Sequence, residues 1–221
     1  MRIEGCEFPD ELLYDEDGLQ WVRVEPDGDV LVGITSIYAA IAGRPGNITP
    51  KRVGQNYGRG RTIATIEGPK FFGPVRAPVS GVLRETNAAV VARPRLVTDA
   101  LYGDGWIARM RPTNLAVDRE ALGTAASAKD RLSDQIRALH VRCFAAFPDY
   151  DLIEIGTECA VVLTKLDDLI GRIETGEVIH LVSDDPTAPI EMVRWSDRAN
   201  QPVLETRKER NLYHFLVRKT A

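Results

Sequence analysis

Ile66-Glu67-Gly68-Pro69-Lys70-Phe71-Phe72-Gly73-Pro74-Val75-Arg76-Ala77-Pro78-Val79-Ser80-Gly81 sets one lysine between two chain-breaking dipeptides. Gly68-Pro69 supplies turn chemistry immediately before Lys70, and Gly73-Pro74 breaks the chain again after it. β-Branched runs, Thr62 to Ile66 and Val75 to Leu83, lie on the two sides. The pattern predicts two strands joined by a hairpin with Lys70 at its tip. Glu67 precedes the lysine by three residues and Gly81 follows it by 11. A lone turn lysine is ordinarily a solvated charge. An amide-forming enzyme, however, needs an amine it can reach and deprotonate. With an ordinary lysine pKa of about 10.4 the enzyme must supply the base, while the substrate supplies exposure.

Around this stretch the chain has 221 residues, 44% hydrophobic and 27% charged, which suits two domains of a globular protein. A formal charge of -4, with 28 Lys and Arg spread rather than blocked, leaves no electrostatic footprint for nucleic acid. No apolar run approaches a bilayer span, and Met1-Arg2-Ile3-Glu4-Gly5 lacks the apolar core of a signal peptide, so the expectation is a cytoplasmic protein with no membrane partner. Three cysteines, Cys6, Cys143 and Cys159, are few and far apart. They argue against a disulfide framework or a multi-cysteine zinc site, and for thiol chemistry in a reducing compartment.

Residues 1 to about 117 read as mostly β, in the rhythm of a small sandwich or barrel: Trp21 to Val24, Val30 to Gly33, Thr62 to Ile66, Val75 to Leu83 and Trp106 to Met110 are separated by Gly, Pro, Asp and Asn. Ser36 to Ala42 fits a short helix ending at Gly43. Between Ser127 and Phe147, Leu132, Ile136, Leu139 and Cys143 follow the spacing of one helix face, with Ser127 able to cap the start and Pro148 to end it. Boundaries of 1–125, 126–148 for this amphipathic connecting helix, and 149–221 follow. The last part reads Tyr150 to Ile155 strand, Ala160 to Ile173 helix, Val178 to Val182 strand, Pro189 to Ala199 helix, then strands Val203 to Arg207 and Leu212 to Val217 around the turn Lys208 to Asn211. This β-α-β-α-β-β order predicts an α+β two-layer sandwich.

The first domain resembles the glycine-cleavage H protein along nearly its whole length: Leu13-Tyr14, Trp21-Val22, Asp29 to Thr35, the lysine hairpin, Ala77-Pro78-Val79-Ser80-Gly81, Asn87 and Tyr102-Gly103-Asp104-Gly105-Trp106. The resemblance implies a lipoyl-type barrel-sandwich hybrid, with lipoic acid attached covalently to Lys70 as a swinging arm and with Glu67 and Gly81 as hairpin context. H proteins typically carry Glu-Ser-Val-Lys-Ala at the site, where this chain has Glu67-Gly68-Pro69-Lys70-Phe71. Phe71 to Val75, Gly5 to Pro9 and Thr49 to Gly54 are more similar to the LbpA-type lipoate-binding proteins of the sulfur-oxidising, heterodisulfide-reductase-like system. Biotin carriers are disfavoured because they place Met on both sides of the lysine.

The second domain is similar to the TusA family of small sulfur carriers. Asp151-Leu152, Gly156, Cys159, Gly176-Glu177-Val178, Ser183 to Pro186 and Phe215 to Lys219 stand in that family's order, with Cys159 17 residues before Gly176. The family's Cys-Pro-x-Pro is here Cys159-Ala160-Val161-Val162. The resemblances together imply a lipoyl carrier, not an enzyme, serving cytoplasmic sulfur oxidation, with a degenerate sulfur-carrier-like domain for docking or sulfur handover. They imply as partners lipoate-protein ligase or lipoyl synthase-type enzymes, a heterodisulfide-reductase-like complex or sulfurtransferases, and dihydrolipoamide dehydrogenase. The alternatives are a glycine-cleavage H protein carrying an aminomethyl group, or a non-catalytic scaffold for sulfur-transfer proteins.

At a helix start Cys159 would gain thiolate stabilisation from unpaired N–H groups and the dipole, opposed by the neighbouring charge of Glu158. It is therefore a candidate sulfur carrier, with a half-buried inert residue as the other reading. Cys143 reads as core, and Cys6 carries no assignment. His140, His180 and His214 stand isolated, so no metal site is expected. Asp167-Asp168 read as a solvated helix face, and Asp184-Asp185 as a strand-to-helix turn able to cap.

Overall fold

The computed structural model describes every residue except Glu16, Gly18, Lys70 and Ala221. The chain divides into two compact units, Met1–Cys143 and Phe144–Ala221. The first unit opens with β1 (Arg2–Ile3), β2 (Cys6–Glu7), β3 (Leu13–Tyr14), β4 (Gln20–Val24) and β5 (Val30–Ile34). The helix α1 (Ser36–Ala42) follows, and Gly43 closes it at φ 62° with its N–H on Ala39 O, the left-handed stop that only glycine adopts without strain. Next come β6 (Asn47–Pro50), β7 (Asn56–Tyr57), β8 (Thr62–Gly68), β9 (Phe71–Arg76) and β10 (Gly81–Thr86). The short helices α2 (Ala88–Ala92) and α3 (Leu96–Asp99), then β11 (Ala108–Pro112), α4 (Leu115–Arg119), β12 (Gly123–Thr124) and α5 (Lys129–Ala138) complete the unit.

Among the described residues, the strands of this mostly-β unit form a seven-stranded sheet in the order β12-β3-β4-β5-β11-β10-β7, a three-stranded sheet β6-β8-β9 and the β1-β2 pair. Val75 to Leu83, expected as one strand, is two strands in different sheets. Pro78 lacks a donor, and around it Ala77 N–H bonds Arg61 O while Ser80 N–H bonds the Asp118 carboxylate, so the chain leaves one sheet and enters the other. Gly73-Pro74, expected to break the chain, lies inside β9. That strand is an edge, where proline is tolerated.

The helix expected over Ser127 to Phe147 is shorter. It ends at Ala138, with His140 at φ 51° and Val141 N–H closing onto Ile136 O, so Leu139 is exposed and Cys143 lies beyond the helix. Ser127 does not cap it; its hydroxyl bonds Thr124 O instead. Leu132 and Ile136 pack into a core with Phe8, Tyr14, Trp21 and Ile37. Cys6 and Cys143 belong to the same core and form a disulfide across 137 residues of sequence, with Cα atoms 4.9 Å apart. This corrects the expectation of free thiols: the pairing is set by tertiary structure alone, and spacing gives no sign of it.

The second unit runs β13 (Tyr150–Glu154), α6 (Cys159–Arg172), β14 (Val178–Ser183), α7 (Ala188–Ala199), β15 (Val203–Glu209) and β16 (Leu212–Arg218). The element order is the one the periodicity predicts. Its sheet runs β13-β14-β16-β15, with β13 parallel to β14 and the other pairs antiparallel. Period-2 alternation puts Ile179, Leu181, Phe215 and Val217 on the face that meets Val162 and Leu166 of α6 and Met192 and Trp195 of α7. Asp167 and Asp168 lie exposed on α6, as expected of a solvated helix face, and Trp195 Nε1–H donates to Asp167 Oδ1 at 2.6 Å, so this acid also joins the two helices.

Candidate functional site

The hairpin that carries the candidate lysine is set by the β8–β9 ladder, in which Gly68 faces Phe71, Glu67 faces Phe72, Ile66 faces Gly73 and Thr65 faces Pro74. Directly opposed residues share a face. The inner face holds Ala64, Ile66, Gly73 and Val75, all buried. It is anchored by α1: the Tyr38 ring meets Phe71 edge-on at 5.5 Å, and Tyr38 Oη–H donates to Pro74 O at 3.1 Å. Burial pushes the Tyr38 phenol up, keeping it a neutral donor. Two glycines allow this closeness. A Cβ on Gly73 would meet the Phe71 ring and lie 2.8 Å from the Tyr38 hydroxyl, and one on Gly68 would lie 2.6 Å from Arg44 O. Gly46 N–H donates to Glu67 O at 2.7 Å.

The outer face is polar, with Asn47 and Thr49 from β6, Thr65 and half-buried Glu67 from β8, and Arg76 from β9. Phe72 stands among them 69% exposed. Lys70 lies outside the described residues. Gly81 belongs to the other sheet, between Pro112 of β11 and Tyr57 of β7, so the structure does not bring it into the hairpin. The residues flanking Lys70 fit a covalently carried group: the inner face is taken up by α1, and the outer face offers one acid and one uncovered aromatic to whatever acts there.

Cys159 opens α6 and is buried, the residue being only 8% exposed. The Asp185 carboxylate accepts its backbone N–H at 3.0 Å, and Asp184 accepts the N–H of Gly156 at 2.8 Å. The first N–H of the helix is therefore taken by the Asp185 carboxylate, in the position where a thiolate would gain from the dipole. Burial first, then Asp185 and Glu191, push the Cys159 thiol above its ordinary value. The opposing charge is Asp185, across the turn, rather than Glu158. Asp185, expected as a strand-to-helix turn residue able to cap, holds the turn before α7 by accepting from Thr187 N–H and Oγ1–H, while the helix itself has no side-chain cap. Its reach to Cys159 needs the parallel β13–β14 pairing to be known. Asp185→Asn, which removes the charge, is expected to move the pH profile of Cys159 alkylation downward and raise its rate at pH 7.5 severalfold. An unchanged profile would assign the shift to burial and Glu191.

Two of the three histidines expected to stand apart do not. His180 of β14 and His214 of β16 approach at 2.9 Å between Nε2 and Nδ1, and Asp151 lies 3.0 Å from His180 Nδ1. Phe144 lies over both rings at 4.7 and 6.0 Å, with the Arg207 guanidinium 4.6 Å from its own ring. Neighbouring strands bring together what is 34 residues apart in the chain. No group of three or more metal-ligating side chains occurs among the described residues, nor any helix long and apolar enough to cross a membrane.

Comparison with known proteins gives one family match, the glycine cleavage H-protein, over residues 12–135. Glycine cleavage system H protein 5 of Aquifex aeolicus is 37% identical over 146 residues, which span 64% of this chain and 98% of that protein. A probable glycine cleavage system H protein 2 of Sulfurisphaera tokodaii is 34% identical over 144 residues, 64% of this chain and 97% of its own. The crystal structure of a glycine cleavage system H protein from Mycobacterium marinum superposes with a TM-score of 0.50 at 28% identity, covering 57% of this chain and 98% of that one. The family match ends before the second unit begins.

Proposed function

Because the chain belongs to the glycine cleavage H-protein family, we propose that the amine of Lys70 is a lipoyl attachment point and that the protein is a lipoyl carrier, a substrate of enzymes rather than an enzyme. The observation that carries this reading is the β8–β9 hairpin, whose inner face is held by Tyr38 and whose strands end at the paired Gly68 and Phe71, on either side of Pro69 and Lys70. Attachment needs lipoate activated as a mixed anhydride with a nucleotide. The deprotonated Lys70 Nζ attacks the carbonyl carbon, the bond to the phosphate oxygen breaks, the nucleotide leaves, and a base on the enzyme takes the proton. A lipoyl group there supplies two sulfurs that cycle between disulfide and dithiol on a long tether, raising the effective concentration of its cargo at each partner.

The cargo we assign is sulfur, in cytoplasmic sulfur oxidation, with a heterodisulfide-reductase-like complex or sulfurtransferases as partners. Phe71 to Val75 and the second unit, with its TusA-like element order, support this. The capped and acid-flanked Cys159 favours docking by that unit over sulfur handover. The relatives' names, glycine cleavage system H protein, support the other reading, an aminomethyl cargo from glycine. After loading by a lipoate-protein ligase, dihydrolipoamide dehydrogenase with NADH should expose two extra thiols per chain, and none in Lys70→Arg. Absence of the extra thiols in the wild type would overturn the carrier reading. The loaded protein is then offered glycine with glycine decarboxylase, or a persulfide donor, and the cargo gained decides between the two pathways.

A further inference from the structure

Two consecutive phenylalanines follow Lys70, and they do different things. Phe71 points to the inner face and packs on Tyr38. Phe72 points outward, opposite Glu67, and is 69% exposed. Most of its ring is left in solvent, on a face whose neighbouring residues Asn47, Thr65 and Arg76 are polar. Exposed aromatics that stand alone within a polar surround are the usual anchors of interfaces, because burying them releases much water at small entropic cost.

The carrier reading narrows the occupant. An enzyme that forms an amide at residue 70 must meet the strand ends on either side of it, and because α1 packs on the inner face of β8 and β9, the outer face of these strands is the side left for contact. Phe72, two residues from the amine, then lies within the footprint.

We infer that Phe72 is the anchor by which the lipoate-attaching enzyme recognises this hairpin, its ring entering an apolar pocket beside the enzyme's acyl-transfer site. The inference rests on the lipoyl-carrier reading and adds a recognition residue to it. The test uses the full chain with purified lipoate-protein ligase, lipoate and ATP, following initial rates by intact mass. Phe72→Ala is expected to lose about tenfold in kcat/KM, equivalent to about 1.4 kcal/mol, mainly through KM. Its melting temperature should not change, and the mass reached at long times should equal that of the wild type. Phe72→Leu should recover most of the rate, and Ile190→Ala, another exposed apolar site in the other unit, should lose none. Equal rates for wild type and Phe72→Ala overturn the inference and leave the carrier reading intact. Normal loading with slowed reduction by dihydrolipoamide dehydrogenase also overturns it, assigning the ring to a redox partner. A wild-type chain that gains no lipoyl mass overturns both readings.

Discussion

Reduction of the Cys6–Cys143 disulfide is expected to destabilise the first unit by about 4 kcal/mol, the size set by the long loop it closes. The bond joins β2 to the segment after α5, so it holds both ends of the unit against one core. Without it, the unfolded chain regains the freedom of a loop spanning 137 residues. The folded state keeps Phe8, Tyr14 and Leu132 in contact but no longer has a covalent tie beneath them. The denaturation midpoint measured with and without a dithiol reductant checks this, and hydrogen exchange should locate the loss in residues 1–8 and 129–143. The double variant Cys6→Ser, Cys143→Ser should match the reduced wild type and be insensitive to reductant. Thiol titration of the denatured, unreduced protein should find Cys159 alone. Three titrating thiols, or a midpoint indifferent to reductant, would contradict the account.

Gly81→Ala should cost about 3 kcal/mol, because the group it adds meets backbone rather than a side chain that can turn away. A Cβ there would strike the Arg111 carbonyl and lie 2.8 Å from Pro112 Cα, in a strand flanked on both sides. The preceding turn has no room to yield: Ser80 O accepts from Thr113 N–H and Oγ1–H, and Ser80 Oγ accepts from Arg59 N–H. A lowered denaturation midpoint with unchanged slope is the expected result. An unchanged midpoint would mean that β10 and β11 do not approach as closely as the structure has them. The glycine spaced 11 residues after Lys70 thus has a physical role, close strand packing, away from the hairpin it was grouped with in sequence.

What the sequence discloses is what depends on near neighbours. The alternation of the second unit is visible because each strand and helix there has its own period, and Gly43 marks the end of α1 by its backbone alone. The hairpin is foreseeable because the residues pairing across it are close in the chain. Periodicity misleads where apolar spacing outlasts the helix: Leu139 and Cys143 continue the pattern of α5, yet one is exposed and the other belongs to a disulfide. It misleads again at Val75 to Leu83, where an apolar run crosses between sheets. The remaining surprises come from distant pairing. Cys6 meets Cys143, His180 meets His214, and Asp185 meets the amide of Cys159 only once the sheets have formed.

The proposed function requires a single covalent bond at one lysine. Protein coexpressed with lipoate-attaching enzymes, weighed intact and then digested, should carry one lipoyl group per chain, on the peptide containing Lys70, with Lys51 and Lys165 unmodified. Lys70→Arg should carry none. A wild-type chain with no gain in mass, or a gain that persists in Lys70→Arg, would contradict the account.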